Sequence, residues 1–113
     1  MKTDTAYLRH ILDAISQIDE YIKDFDREDF LADNKTIDAT LMQLEIIGEA
    51  SNKLSKEFKD KYPKIPFRNM ADMRNVVVHD YFGVVRKTVW NTCKKNLPPL
   101  REQIKKSLDE IVG

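Results

Sequence analysis

TAYLRHILDAISQIDEYIKDF, residues 5–25, repeats its apolar side chains in steps of three and four: Leu8, Ile11, Leu12, Ile15, Ile18, Ile22 and Phe25. Successive residues of an α-helix advance by about 100° around the axis, so this spacing keeps the apolar groups on one face. Acids and bases occupy the other side, and the stretch predicts a long amphipathic helix with one buried stripe. Thr3 or Asp4 is placed to cap its start. His10 falls beside the stripe on a highly charged helix and reads as a surface histidine.

The same period recurs down the chain. Residues 26–34 are acidic and turn-like, with Phe30 and Leu31 as anchors, and read as a connection holding at most one helical turn. From Thr36 to Phe58 a second long helix is expected, its stripe made of Ile37, Leu41, Leu44, Ile47, Leu54 and Phe58. Met42, Ile46 and Ala50 widen that stripe, which predicts partners on more than one side. Gly48 in its interior costs about 1 kcal/mol of helix propensity relative to alanine, and reads as a site of close helix packing. Glu49 and Asn52 follow on a face that could reach a cleft; they are secondary candidates, better read as surface or packing residues.

Lys59 to Pro66 is a basic loop, because Pro63 and Pro66 bar a helix from passing through. A third helix starts near Phe67 and turns Met70, Met73 and Val77 inward. The last stripe is Val89, Cys93, Leu97, Leu100, Ile104, Leu108 and Ile111, and it keeps its phase through Pro98-Pro99. This predicts a kink between two nearly coaxial segments, with Asn96 capping the second. Trp90 beside the stripe reads as core or interface, and Cys93 within it as a small buried hydrophobe.

The totals agree. A chain of 113 residues suits one domain, residues 1–113, and 34% charge with only three glycines and four prolines favours long amphipathic helices over a sandwich or barrel. The expected fold is all-α, an antiparallel bundle of four to five helices with a kinked C-terminal helix. One cysteine permits no internal disulfide, which fits a reducing cytoplasm. Neither a signal core nor a run of about 18 apolar residues is present, so a soluble protein without membrane association is expected. The net charge of zero is divided. Residues 1–60 carry eight Lys/Arg against fourteen Asp/Glu, a net of −6, and residues 61–113 carry eleven against five, a net of +6. Two mutually attracting faces would explain this, and so would a basic surface that collects phosphates.

The chemistry concentrates in Arg74-Asn75-Val76-Val77-Val78-His79-Asp80-Tyr81. On a helix Arg74 and His79 lie about 140° apart. They converge if Arg74 reaches round on its long stem, if the helix loosens before His79, or if a second chain brings a copy of each to the other. Tyr81 precedes Phe82-Gly83, a natural stop, and belongs at a helix end or in the following turn. With two histidines, one cysteine and no carboxylate pair spaced to join His79, a metal site is poorly supported, and no cofactor is implied. Phosphate-binding glycine loops and serine or cysteine triads lack their parts. Arginine and histidine suit metal-free chemistry on a phosphate. Imidazole can take and give a proton near neutral pH, and a guanidinium can grip a phosphate through two donors as charge builds on it. With RNA the 2′-hydroxyl supplies the nucleophile, His79 acts as base or acid, Arg74 holds the scissile phosphate, and Asn75 orients phosphate or imidazole. The products would be a 2′,3′-cyclic phosphate and a 5′-hydroxyl, and DNA would not be cut.

Arginine, a polar residue, then histidine after four intervening positions and tyrosine two further on resembles the HepT toxins of the HEPN-fold ribonucleases. Arg74, Asn75, His79 and Tyr81 match without a gap. The flanks are similar too, with Ile46-Ile47-Gly48-Glu49-Ala50-Ser51 upstream, and Phe82-Gly83-Val84, Val89-Trp90 and Leu97-Pro98-Pro99-Leu100 downstream. The resemblance implies a HEPN-like bundle, catalytic Arg74 and His79, and a homodimer whose axis brings two motifs to one cleft. It also implies a partner, an MNT-type nucleotidyltransferase antitoxin that attaches AMP to Tyr81. Phosphates so placed would pair with Arg74 and block RNA by charge and bulk. The competing reading is a catalytically silent helical subunit that binds a nucleotidyltransferase or nucleotide; a plain dimeric bundle is the third.

Overall fold

α1 runs from Asp4 to Ile22 and buries Leu8, Ile11, Ala14, Ile15, Ile18 and Ile22 along the expected stripe. The computed structural model describes the backbone of residues 1–78 and 84–113, and the side chains of residues 1–74 and 86–113. The helix is shorter than its periodicity suggests, since Phe25 lies past its end, partly buried against the core. Its cap also differs from expectation. Thr3 makes no side-chain capping bond. Asp4, 1% exposed, accepts instead from the backbone N–H and the hydroxyl of Ser55, both at 2.7 Å.

The acidic connection does hold one helical turn. α2, Arg27–Leu31, is closed by a reciprocal capping box in which Asp26 accepts from the Asp29 N–H at 2.8 Å and Asp29 accepts from the Asp26 N–H at 3.3 Å. The turn delivers Phe30 fully buried into the core. α3, Asn34–Asn52, starts at Asp33, whose carboxylate accepts from the Thr36 N–H at 2.9 Å.

α3 stops at Asn52 instead of continuing to Phe58. A short α4, Lys56–Lys61, follows, capped by Ser55, whose hydroxyl accepts from the Phe58 N–H at 3.1 Å. Ser55 has extended backbone there, and the buried Asp4 carboxylate holds it in that conformation from 51 residues away. Leu54 and Phe58 are still buried, so the apolar stripe survives a break in the helix that carries it.

α5 spans Phe67–Val78, with Met70 and Met73 buried as expected; Val77 lies outside the described side chains, and Gly83 outside the described residues. α6, Val84–Asn91, leads through a π-helical turn, Thr92–Asn96, into α7, Leu97–Val112. The irregularity therefore precedes the proline pair, which sits in the first turn of α7 where missing N–H groups are tolerated. Asn96 makes no capping bond, contrary to expectation. The Leu97 N–H reaches back five residues to the Thr92 carbonyl. That wider turn explains the phase: two steps of four overshoot two α-helical turns by about 80°, and the π turn absorbs the excess. Val89, Cys93, Leu97, Leu100, Ile104 and Leu108 are all buried.

Among the described residues all regular structure is helical, which confirms the all-α class. The main helix contacts are α3 with α1 and with α5, and α1 with α7. Ile11, Ile18, Phe30, Ile47, Phe58 and Ile104 are fully buried, each stabilising the fold by about 1.5–3 kcal/mol. Met42 and Ile46 correct the sequence reading. They were expected to widen the buried stripe of α3, yet they are 56% and 37% exposed. Periodicity marks a face as apolar without saying what covers it. Among the described residues no helix is long and apolar enough to cross a membrane.

Candidate active site

α3 and α5 lie close together at Gly48. A Cβ there would lie 2.9 Å from Arg74 Cγ, 3.1 Å from the Arg74 backbone nitrogen and 3.3 Å from the Ala71 carbonyl oxygen. The glycine thus lets the α5 backbone sit against α3 at Arg74, as the close-packing reading anticipated. The next residue of α3, Glu49, forms an ion pair with Arg74 across the same contact, with Nη2 to Oε1 at 3.0 Å. Both side chains are nearly half exposed, at 45% and 43%. The pair therefore adds at most about 1 kcal/mol of stability, while it fixes where the guanidinium points.

Glu49 was legible as a residue facing the site, though it read better as surface or packing; it is the ion-pair partner of Arg74. Asn52, the other secondary candidate, is exposed. Asn75 has its backbone within α5, and its side chain is outside those described. His79 and Tyr81 lie outside the described residues, so the expected approach of His79 to Arg74 belongs to the proposal below. α5 is helical through Val78, which gives no sign of the helix loosening before His79.

Beside the Arg74–Glu49 pair a groove of about 270 Å³ runs between α1 and α3, lined by Tyr7, His10, Met42, Ile46, Glu49 and Lys53 among others. His10 is exposed there, edge-on to the Tyr7 ring at 6.2 Å, in keeping with a surface histidine. Charges along the groove are mixed, with Glu45 and Glu49 against Lys53. Lys61, Lys64 and Lys106 line a separate hollow of about 370 Å³. There the Tyr62 hydroxyl donates to Glu110 at 2.7 Å. Burial and then the Glu110 carboxylate push that phenol up to about 12. Cys93 is buried, and burial followed by the charge of Asp19 pushes its thiol up to about 12, which suits a packing residue and not a nucleophile. Among the described residues no three His, Cys, Asp or Glu side chains gather as a metal site would require.

The family model described as Ribonuclease HepT-like matches residues 11–107. The chain is 42% identical over 105 residues to the "gamma-glutamylcyclotransferase and putative RNase" of Methanocaldococcus jannaschii, covering 93% of this chain and 47% of that protein. It thus spans about half the length of that relative. It is 41% identical over 110 residues to a "putative RNase" of Caldanaerobacter subterraneus subsp. tengcongensis, covering 97% of this chain and 98% of the other. To the "probable ribonuclease HepT" of Thermococcus cleftensis it is 44% identical over 100 residues, covering 88% and 91%. No solved structure matches the chain.

Proposed function

Since the chain belongs to the HepT-like ribonuclease family, we propose that it is a metal-independent endoribonuclease, the toxin of a toxin–antitoxin pair. The observation that carries the reading is Arg74, an exposed guanidinium fixed by the Gly48 contact and the Glu49 carboxylate, five residues before His79. The 2′-oxygen attacks the adjacent phosphorus and the bond from phosphorus to O5′ breaks. An imidazole takes the 2′-hydroxyl proton, an imidazolium protonates the leaving O5′, and Arg74 neutralises the charge gathering on the phosphate oxygens. Asn75 orients the phosphate or the imidazole. The products are a 2′,3′-cyclic phosphate and a 5′-hydroxyl.

The active form is a homodimer. One helix does not point Arg74 and His79 the same way, and a second copy supplies the missing partner as well as a second imidazole. Met42 and Ile46 support this, as exposed apolar groups one turn apart on α3 that line the same groove as Glu49. The antitoxin is an MNT-type nucleotidyltransferase that attaches AMP to Tyr81. The added phosphates occupy the RNA site and pair with Arg74.

The test is expression in a bacterial cytoplasm with and without the partner, followed by intact-mass measurement. Alone, the protein should arrest growth and cut RNA, and His79→Ala should do neither. With the partner, mass should rise by whole AMP units, and Tyr81→Phe should abolish the rise. If the protein and His79→Ala are equally harmless and neither cuts RNA, the reading fails.

A further inference from the structure

The hollow between α7 and the connection from α4 to α5 holds about 370 Å³, the size of a small-molecule site. Its floor is apolar and rigid. Pro63 fixes its own backbone angle, Ile65 is buried, and the Ile65 N–H closes a turn on the Tyr62 carbonyl at 3.1 Å. The Tyr62 ring is held against Phe58, with centroids 4.8 Å apart. Three cations line the hollow, Lys61, Lys64 and Lys106, against one carboxylate, Glu110. The Lys61 ammonium lies 5.7 Å from the Tyr62 centroid, which holds it beside the floor. Among the described residues, none of these three ammonium groups has a carboxylate within ion-pair distance. An adjoining hollow, where Glu102 and Asp109 join Lys105, Lys106 and Glu110, has no such surplus of positive charge.

The polar groups around the floor select the ligand by what they have left to give. The Tyr62 hydroxyl spends its proton on Glu110 at 2.7 Å, and Ser107 spends its own on the Ile104 carbonyl at 2.8 Å. Gln103 donates through Nε2 to the Lys64 carbonyl at 3.2 Å, which leaves its Oε1 as an acceptor. The floor therefore offers mainly acceptors, and the lysines offer cations. A ligand that answers both has a flat ring bearing an amino group, joined to an anion. We propose that the hollow is a nucleotide site separate from Arg74: it takes a nucleoside monophosphate whose base carries an exocyclic amine, free or as one residue of an RNA chain. The base lies on Pro63 and Tyr62, its amine donates to Gln103 Oε1 and Glu110, and the lysines take the phosphate. Glu110 repels a phosphate from the Tyr62 end, so the ligand enters in one orientation.

The test titrates the full chain with AMP against IMP and CMP against UMP, pairs in which a carbonyl replaces the amine, and with inorganic phosphate. The readout is the NMR signal of the Gln103 side-chain amide, which Gln103→Met assigns. It needs no cleavage of RNA, so it decides the hollow whether or not the ribonuclease reading holds. AMP and CMP should bind about fivefold or more tighter than IMP and UMP, because a carbonyl there would face acceptors. Lys64→Gln and Lys106→Gln, both at exposed positions, should each weaken AMP about threefold or more and flatten its salt dependence. Short 2′-O-methyl oligonucleotides, which have no 2′-hydroxyl to attack, separate the two sources. AMP moving the Gln103 signal supports a free nucleotide. Oligocytidylate moving it where mononucleotides do not, and more tightly than oligouridylate, supports a residue of RNA. A Gln103 signal that no nucleotide or oligonucleotide moves overturns the proposal, and so does equal affinity for amine and carbonyl ligands. Inorganic phosphate binding as tightly as AMP would reduce the hollow to a patch of lysines and also overturn it.

Discussion

Gly48→Ala should destabilise the protein even though alanine is the better helix former. The added Cβ would stand 2.9 Å from Arg74 Cγ, 3.1 Å from the Arg74 nitrogen and 3.3 Å from the Ala71 oxygen. Comfortable contact between carbon atoms begins near 3.5 Å, so the first of these is short by roughly half an ångström. Two of the three neighbours are backbone atoms, and turning the Arg74 side chain does not relieve them; α5 has to move away from α3. Overpacking of this kind costs about 1–3 kcal/mol. The gain in helix propensity offsets about 1 kcal/mol of it. The expected net loss is about 1 kcal/mol, a fall of about 4–8 °C in Tm for a domain near this size. The same displacement pulls Arg74 away from Glu49, so RNA cleavage should fall about tenfold or more where both proteins are fully folded. Urea unfolding gives the first quantity and initial cleavage rates the second. A variant more stable by about 1 kcal/mol with full activity, the outcome of propensity alone, would refute the close approach of α3 and α5 at Arg74.

Glu49→Gln should leave the unfolding free energy within about 1 kcal/mol, because the ion pair is exposed, and yet lower the cleavage rate by loosening Arg74; urea melts and rates read the two effects separately. Asp4→Ala should cost about 1–3 kcal/mol in urea unfolding, since it leaves the Ser55 N–H, and the cap of α4 that depends on it, without its acceptor. The Tyr62 phenol is raised from 10.0 to about 12 in the folded protein, chiefly by burial and then by Glu110. Its folded state holds the proton longer than the unfolded state, so its contribution is complete below pH 10 and is lost as pH rises through about 12. The stability difference between the unaltered protein and Tyr62→Phe should therefore shrink across that window in pH-dependent unfolding.

Helical class and core were legible because burial leaves a period in the sequence: the stripes of α1 and of Val89 to Leu108 are buried nearly as read. What failed to show were the interruptions. Leu54 and Phe58 extend the α3 stripe in phase, and the break at Ser55 is imposed by Asp4, a contact across 51 residues that no local pattern records. The prolines announced an irregularity in the last helix, but the hydrogen-bond rerouting falls just before them, in the π turn. Met42 and Ile46 carried the period of a buried face and are exposed, as a face awaiting a partner would be. At the site, Gly48 advertised close packing without naming its neighbour, and Glu49 was placed on the right face without its ion pair. Arg86 left no signal, being one more basic residue on a basic half of the chain, yet it donates to the Leu31 carbonyl and to Asn34 Oδ1, 55 and 52 residues away.

End-group analysis of the cleaved RNA, with a chelator present, tests the central claim most directly. The account predicts 2′,3′-cyclic phosphate and 5′-hydroxyl termini, no cutting where a single 2′-deoxy residue replaces the attacking ribose, and loss of cleavage in both Arg74→Ala and His79→Ala. Termini bearing a 5′-phosphate, cleavage at the deoxy position, or an undiminished rate in His79→Ala would contradict it.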